Sequence, residues 1–298
     1  MLRYPAQGEL RALLDPRFCE LSPYIAAELS GGEKGGPARD VPRALAYLVA
    51  ETACADALAW HFSPQRKVPT ATIFYQGTPI LVEKRALDGQ GERLLECEGF
   101  QVRWCPLAKS PLQSGTPLVQ ILLERWQHGW APARALLKEH SAWALKEFAS
   151  SPGLLRGESL DATFRNTVWD GSRYAAFDLE WVAAGPVPAS WFVFRNVLAL
   201  WPLRAQMPKG APASLAELYE GLCHELGVSP QKEASVHQEA AFQAAVVRGV
   251  QQAEEREAIA RTLHKPLEAS LIHRITLSLK KGLRKLRPGS NNENDALR

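Results

Sequence analysis

Two aspartates and an asparagine in the stretch "GESLDATFRNTVWDGSRYAAFDLEW", residues 157–181, have side chains suited to phosphoryl transfer. Asp161 precedes Asn166 by five residues, and Asp178 follows two short apolar runs. Phosphoryl transfer needs a carboxylate that orients a nucleophilic hydroxyl and takes its proton, and two oxygen ligands that hold Mg²⁺ against nucleotide phosphates. The alternative is an ordinary loop, strand and turn, because an Asp and an Asn at this spacing also occur together by chance.

The residues between Asn166 and Asp178 predict a β-hairpin. "TVW" and "YAAFDLE" are typical of short strands, and "DGS" between them is typical of a turn. Such a hairpin would fold Asp178 back beside Asn166. The strand period would put Glu180 on the same face as Asp178, where it could accept a hydrogen bond, assist a second metal, or be only structural.

A lysine on another predicted strand could serve the same chemistry. Lys84, in "ILVEKRA", alternates with Ile80 and Val82 and so shares a face with two apolar residues. It could hold nucleotide phosphates, or it could be a strand-end lysine that reaches water.

The 157–181 segment resembles the catalytic and metal-binding loops of the protein-kinase-like superfamily, including the aminoglycoside and choline kinases. In that superfamily an Asp-x-x-x-x-Asn loop leads through a hairpin to a metal-binding Asp. The resemblance implies that Asp161 is the catalytic base and that Asn166 and Asp178 are the magnesium ligands. It also implies that Lys84 holds the phosphates of ATP. Glu180 stands where the protein kinases have Gly.

A longer stretch, "DLEWVAAGPVPASWFVFRNVLAL" at residues 178–200, is similar to a narrower bacterial subfamily. That subfamily is the kinase-like region that follows a methyltransferase domain in O-antigen and other surface-polysaccharide proteins. "HFSPQRKVPTATIFYQGTPILVEKRAL" is similar to the start of its N-lobe, so the likeness covers about residues 45–205. No strand, Gly-rich loop and helix unit precedes residue 60, so the methyltransferase half is not expected here.

The sequence also departs from the kinase pattern around Lys84. No GxGxxG precedes Lys84, so phosphate would be held by side chains of "SPQRKVPTA", where Ser63, Arg66 and Lys67 are the candidates. No helix is predicted between Lys84 and residue 112 to supply the usual acidic partner of the lysine. The candidates for that partner, with none preferred, are Glu92, Glu96 and Glu98.

The sequence pattern around these residues predicts an α+β chain with two lobes, and the resemblance implies that the two lobes form a protein-kinase-like fold. The pattern changes from helical at 1–60 to β-rich with turn signals over 70–107, where one small antiparallel sheet is expected. The next stretch is helical, with Pro132 in the first turn of its second helix. The predicted units are a helical N-terminal extension at 1–60, a small antiparallel N-lobe at 61–112 and a helical C-lobe at 113–228. Extra C-terminal helices follow, as a helical spacer or coiled-coil arm at 229–265 and a basic amphipathic helix at 266–288, before a disordered tail at 289–298.

Composition excludes several other classes of protein. Hydrophobic residues make up 46% of the 298 residues and charged residues 22%, which is typical of a folded globular chain. A net charge of +3 without a reading motif does not favour nucleic-acid binding. Five cysteines without a CxxC indicate reduced thiols in a cytosolic protein. No apolar run is long enough for a membrane span or a signal peptide.

The basic stretch "LEASLIHRITLSLKKGLRKLRP" predicts a helix with one apolar and one basic side. It could lie on an anionic membrane surface, where each basic residue contributes about 1 kcal/mol. Alternatively, it packs on the protein with its charged side in water.

The expected function is an ATP- and Mg²⁺-dependent kinase-like phosphotransferase of bacterial lipopolysaccharide or surface-polysaccharide biosynthesis. Its acceptor would be a sugar hydroxyl, for example on a lipid-linked glycan, and its place would be the cytoplasm, peripherally on the inner membrane. This substrate class comes from the resemblance alone. The alternative is a catalytically inactive pseudokinase module that binds a glycosyltransferase or methyltransferase partner.

Overall fold

The computed structural model describes residues 57–63, 66–75, 78–86 and 89–267. These residues form a mixed α+β structure of small antiparallel sheets and six α-helices, which confirms the expected α+β class. Most of the predicted helical extension, and the basic helix and tail from residue 268 onward, lie outside the described residues.

The largest sheet has four strands in the order β1-β2-β3-β6. Its strands are β1 (Ala57–Ser63), β2 (Thr70–Tyr75), β3 (Leu81–Ala86) and β6 (Leu107–Pro111). Residues 57–60 were predicted to be helical, and this is wrong, because they belong to β1. Helix propensity is a weak local preference, and the pairing of β1 with β2 along its length overrides it.

A second sheet joins two distant parts of the chain. Strands β4 (Arg93–Cys97) and β5 (Phe100–Trp104) form a hairpin, and β5 also pairs with β12 (Trp181–Ala183). The prediction of one sheet over 70–107 is therefore wrong, since β4 and β5 lie in a separate sheet. Periodicity identifies strands but not their partners. The pairing of β12 with β5 fixes the chain directly after Asp178 and Glu180.

Two further sheets have three short strands each, in the orders β11-β10-β7 and β13-β9-β8. Strands β10 and β11 form the predicted hairpin after Asn166. The bounds are β7 (Thr116–Pro117), β8 (Ala149–Ser151), β9 (Leu154–Leu155), β10 (Thr167–Trp169), β11 (Tyr174–Ala176) and β13 (Val187–Pro188).

The helices supply most of the core. They are α1 (Leu118–Gln127), α2 (Trp130–Glu147), α3 (Ala189–Leu198), α4 (Leu215–Glu225), α5 (Lys232–Val246) and α6 (Gln252–His264). Short 3₁₀ helices occupy Gly157–Asp161, Phe164–Asn166 and Trp201–Gln206. Pro132 lies in the first turn of α2, as predicted. Gly227, with φ of 66°, follows the end of α4 as a Gly cap.

Helices α5 and α6 are part of the same core rather than a spacer. Phe242 and Val246 of α5 and Ile259 and Leu263 of α6 are buried in one cluster with α3. Residues 229–265 are therefore helical as predicted, but the spacer or coiled-coil interpretation is wrong. The buried side of α5 packs on α3, where the rings of Phe242 and Trp191 contact each other.

Within the described ranges, no helix combines the length and the apolar character that crossing a bilayer requires.

The burial of α5 predicts that Phe242→Ala lowers the free energy of unfolding by about 3–5 kcal/mol, because the substitution leaves a cavity in the core. Urea denaturation followed by circular dichroism measures this. The matched control is Leu94→Ala, since Leu94 is 55% exposed, and a change below about 1 kcal/mol is expected there. Equal small effects for the two variants would show that α5 is a detached arm.

Candidate functional site

The site forms where β3 meets the segment between β11 and β12. Lys84 of β3 is only 5% exposed, and its ammonium Nζ donates to Asp178 Oδ1 at 2.7 Å and Oδ2 at 2.9 Å. The same Nζ lies 3.0 Å from Glu180 Oε1. The prediction that Lys84 turns to the apolar face of its strand is confirmed, and two carboxylates neutralise its charge there.

Asp161 and Asn166 are bonded to each other and to the segment that carries Asp178. The Asp161 carboxylate Oδ2 accepts from the backbone N–H of Glu180 at 3.2 Å and of Trp181 at 3.3 Å. Asn166 Nδ2 donates to the Asp161 carbonyl oxygen at 3.0 Å. This donation leaves the amide oxygen, the atom able to coordinate a cation, outside that hydrogen bond. The structure therefore brings Asp161, Asn166, Asp178 and Lys84 into one cluster.

A tight hairpin returns the chain to Asn166. Asp170 Oδ1 accepts from the backbone N–H of Ser172 and of Arg173, each at 2.9 Å, and so closes the predicted turn. After β11, the Phe177 N–H donates to the Asn166 carbonyl at 2.8 Å. The hairpin sets Asp178 beside the loop that holds Asp161.

Asp178 itself has φ of 55°, in the left-handed region. Few residues other than glycine adopt this conformation, although Asp does so more often than most. Such backbone conformations are common at functional sites. The sequence predicted that Asp178 and Glu180 share one face of a strand. Strand β11 ends at Ala176, so strand alternation does not align them, although both carboxylates lie close to Lys84. The left-handed residue turns the chain, and both carboxylates then reach Lys84.

The acidic partner of Lys84 is not one of the three glutamates proposed from the sequence. Glu92 lies 3.2 Å from Arg103, while Glu96 accepts from Gln101 and Glu98 from Gln252. All three lie on β4 or its flanking turns, where their side chains find nearby partners. Glu180, which the sequence left as an accessory or structural residue, pairs with Lys84 instead.

A buried tryptophan holds Glu180 in place. Trp104 Nε1 donates to Glu180 Oε2 at 2.9 Å, and both side chains are almost fully buried. The Cys105 N–H also donates to the Glu180 carbonyl at 2.8 Å. No sequence motif indicated Trp104, because its role depends on the pairing of β5 with β12.

Arg66 lies on the turn between β1 and β2, near the two carboxylates. Its guanidinium stands 5.9 Å from the Trp181 ring centroid, and its charge acts to lower the pKa of both Asp178 and Glu180. A β-bridge between Arg66 and Val247 fixes this turn to the end of α5. Ser63 ends β1, and the described contacts do not join its side chain to the cluster.

The carboxylates of the cluster have different proton affinities. Burial, followed by the charges of Glu180 and Asp178, raises the pKa of Asp161 to about 7. Burial also raises the pKa of Asp178, against the attraction of Lys84. Burial opposes ionisation of Glu180 as well, but Lys84 and the Trp104 hydrogen bond outweigh it and hold the pKa of Glu180 below its usual value. Asp161 is thus suited to exchange a proton near neutral pH.

Two consecutive residues of α3 hold the loop on either side of Asp161. Arg195 Nε donates to the Leu160 carbonyl at 3.0 Å, and Asn196 Oδ1 accepts from the Phe164 N–H at 2.8 Å. Glu239 of α5 accepts from Arg195 Nη1 with both carboxylate oxygens, at 3.0 and 2.8 Å. The loop that carries Asp161 is therefore anchored through α3 to α5.

In the part of the chain that the structure describes, no group of three or more His, Cys, Asp or Glu side chains is arranged to hold a metal ion. A cation here would need Asn166 beside Asp178, together with oxygen ligands from outside the protein.

Comparisons of this chain with protein-family models, with curated proteins and with solved structures found no match. Its function is therefore inferred from the geometry of the cluster and from the resemblance of its motifs.

The buried ion pair predicts that Glu239→Gln lowers the free energy of unfolding by about 3 kcal/mol, because the Arg195 charge is left buried without a carboxylate. The matched control is Glu257→Gln, which breaks the exposed pair with Arg261 at 2.7 Å. That variant should change stability by less than about 1 kcal/mol. Denaturant titration of both variants measures the two free energies of unfolding. A small effect of Glu239→Gln would show that α5 does not support the loop of Asp161.

The raised pKa of Asp161 predicts a pH-dependent difference between the wild type and Asp161→Asn. From its ordinary value of 3.8 up to about 7, the folded chain keeps a proton on Asp161 that the unfolded chain has released. Raising the pH across this window lowers the stability of the wild type relative to Asp161→Asn by about 2–4 kcal/mol.

Urea titrations at several pH values measure that slope. Asp170→Asn is the control, because the backbone N–H groups of Arg173 and Ser172 hold the pKa of Asp170 below its usual range. The pH-dependent part of the stability difference for Asp170→Asn therefore lies at lower pH, and the difference stays constant between about pH 5 and 7. A constant difference for Asp161→Asn as well would mean that Asp161 ionises normally.

Proposed function

We propose that this chain is an ATP- and Mg²⁺-dependent phosphotransferase of the protein-kinase-like superfamily. The observation that carries the proposal is the convergence of Lys84 with Asp161, Asn166 and Asp178 in one cluster, although β3 and the 161–178 segment are far apart in sequence. The chemistry of phosphoryl transfer requires these groups together.

The architecture is compatible with this proposal. A sheet of β1, β2, β3 and β6 carries Lys84, and a largely helical part that begins at α1 carries the loop and hairpin. We propose that these correspond to the two lobes of a protein-kinase-like fold, with the site between them.

The residues of the cluster fit Mg·ATP in charge and accessibility. The Asp178 side chain is 35% exposed, whereas that of Lys84 is 5% exposed, so Asp178 is more accessible to solvent and ligands than Lys84 is. Asp178 and the Asn166 amide oxygen would hold the cation, and Lys84 and Arg66 would face the phosphates. Bound Mg²⁺ supplies neutralisation of the phosphate charge.

Asp161 would act on the acceptor. Its carboxyl group is anchored by two backbone N–H groups, so its position is fixed before the substrate binds. With a pKa of about 7 it can take the proton of an acceptor hydroxyl near neutral pH. Lys84 would hold the nucleotide, and Asp161 would orient the hydroxyl.

The acceptor class rests on the resemblance of residues 178–200 to the surface-polysaccharide subfamily. We propose a sugar hydroxyl on a lipid-linked glycan in lipopolysaccharide biosynthesis, at the cytoplasmic side of the inner membrane. The basic helix expected at 266–288 would hold the protein to the anionic surface.

A second candidate function is a pseudokinase module that binds a glycosyltransferase or methyltransferase. The observation that favours it is the charge balance of the cluster, because Asp178 and Glu180 already compensate Lys84 and no GxGxxG motif precedes Lys84 to hold phosphate.

A thermal-shift measurement with Mg·ATP separates the two functions. Ligand at 100 times its Kd would stabilise the wild type by about 2.7 kcal/mol. Asp178→Ala should abolish the shift, because it removes a cation ligand. Asp161→Ala should keep the shift and lose phosphate release from ATP, measured with water as the acceptor.

Glu96→Ala, on the exposed side of β4, is the matched control and should behave like the wild type. Absence of any shift with millimolar Mg·ATP would reject phosphotransfer and leave the partner-binding module.

A further inference from the structure

Lys84 is shared between two carboxylates that differ in their surroundings. Asp178 holds the ammonium with both oxygens, and Glu180 holds it with one. The Asp178 side chain is 35% exposed, whereas that of Glu180 is 9% exposed. A ligand can therefore reach Asp178 and not Glu180.

Lys84 donates to both oxygens of Asp178, so a divalent cation bound at Asp178 would have to share the carboxylate with the ammonium. A cation and an ammonium at the same carboxylate also repel each other strongly in a partly buried site. A cation at Asp178 would therefore weaken the hold of this carboxylate on Lys84, and a buried ammonium needs another acceptor in order to stay in place.

Glu180 provides that acceptor without any rearrangement. Its Oε1 is already 3.0 Å from Nζ, and its Oε2 is tied to Trp104 Nε1 at 2.9 Å. Its backbone is fixed by the Cys105 N–H, at the point where β12 joins β5. Glu180 therefore stays in place whichever group Asp178 binds.

We infer that Glu180 is the positioning residue of Lys84, and that it keeps the ammonium beside the nucleotide when Asp178 turns to the cation. This inference rests on the proposed function. It assigns to the residue two positions after Asp178 the task that Glu92, Glu96 or Glu98 was expected to perform.

The electrostatic alternative makes the opposite prediction. Glu180 is an anion near the site of the phosphates, so its neutralisation alone should strengthen nucleotide binding. If Glu180 positions Lys84, neutralisation should weaken binding, because Lys84 loses its second anchor. The sign of the change in affinity thus distinguishes the two roles.

The experiment is a double-mutant cycle of the Mg·ATP dissociation constant, measured by calorimetry on the wild type, Glu180→Gln, Lys84→Met and the double variant. We expect Glu180→Gln to weaken binding about tenfold in the wild type. In the Lys84→Met background it should leave affinity unchanged or strengthen it, because no ammonium remains to be positioned.

Each other result overturns a specific claim. If Glu180→Gln weakened binding in both backgrounds, Glu180 would be a direct cation ligand. If it strengthened binding in both, Glu180 would act only through the repulsion between its charge and the phosphates. Either result rejects the positioning role while the proposed function stands. No Mg·ATP binding by the wild type would instead reject the proposed function, and the inference with it.

Two further variants control for damage to the fold. Glu83→Gln removes a carboxylate from the residue next to Lys84, on the opposite face of β3 where Glu83 pairs with Arg85, and should leave affinity unchanged. Trp104→Phe removes the hydrogen bond to Glu180, together with part of a fully buried ring. If Glu180→Gln does not fold, Trp104→Phe should still weaken binding about threefold, and unchanged affinity in a folded Trp104→Phe variant would reject the role of Glu180.

Discussion

The structure depends on one constraint, a lysine ammonium held almost out of water on β3. A buried charge costs several kcal/mol unless it is paired and hydrogen-bonded. Lys84 meets that requirement with Asp178 and Glu180, which come from a segment far along the chain. The ion cluster thereby joins the first sheet to the segment that follows the hairpin.

The segment that carries these carboxylates is itself fixed by elements that contribute no chemistry. Strand β5 pairs with β12 on one side, and the hairpin of β10 and β11 fixes the other. Two residues of α3 hold the loop of Asp161, and Glu239 extends that support to α5. Because α5 also bridges to the turn of Arg66, the helix that looked like a spacer contacts both sides of the site.

The same arrangement explains why three neighbouring carboxyl groups do not behave alike. Glu180 is buried but faces Lys84 and Trp104, so it is held ionised. Asp161 is buried with two anions nearby, and together they outweigh the attraction of Arg195 and Lys84, so its pKa is raised. Environments that separate the pKa values of adjacent carboxyl groups are typical of sites that assign them different roles.

Much of the local structure could be predicted from the sequence because it depends on neighbouring residues. The hairpin after Asn166, Pro132 in the first turn of α2 and the Gly cap of α4 all follow from short-range preferences. The loop of Asp161 and Asn166 could also be singled out, because a carboxylate and an amide five residues apart are side chains suited to phosphoryl transfer.

Composition and periodicity were enough to predict the α+β class, and residue types and spacing were enough to single out Asp161, Asn166, Asp178 and Lys84 as candidates. Only the tertiary structure decided that Ala57–Ser63 is a strand, that α5 is core, and that Glu180 rather than Glu92, Glu96 or Glu98 pairs with Lys84. The physical reason is that a strand's partner and a buried charge's counter-ion are set by which distant segments pack together, and periodicity along one chain does not contain that choice.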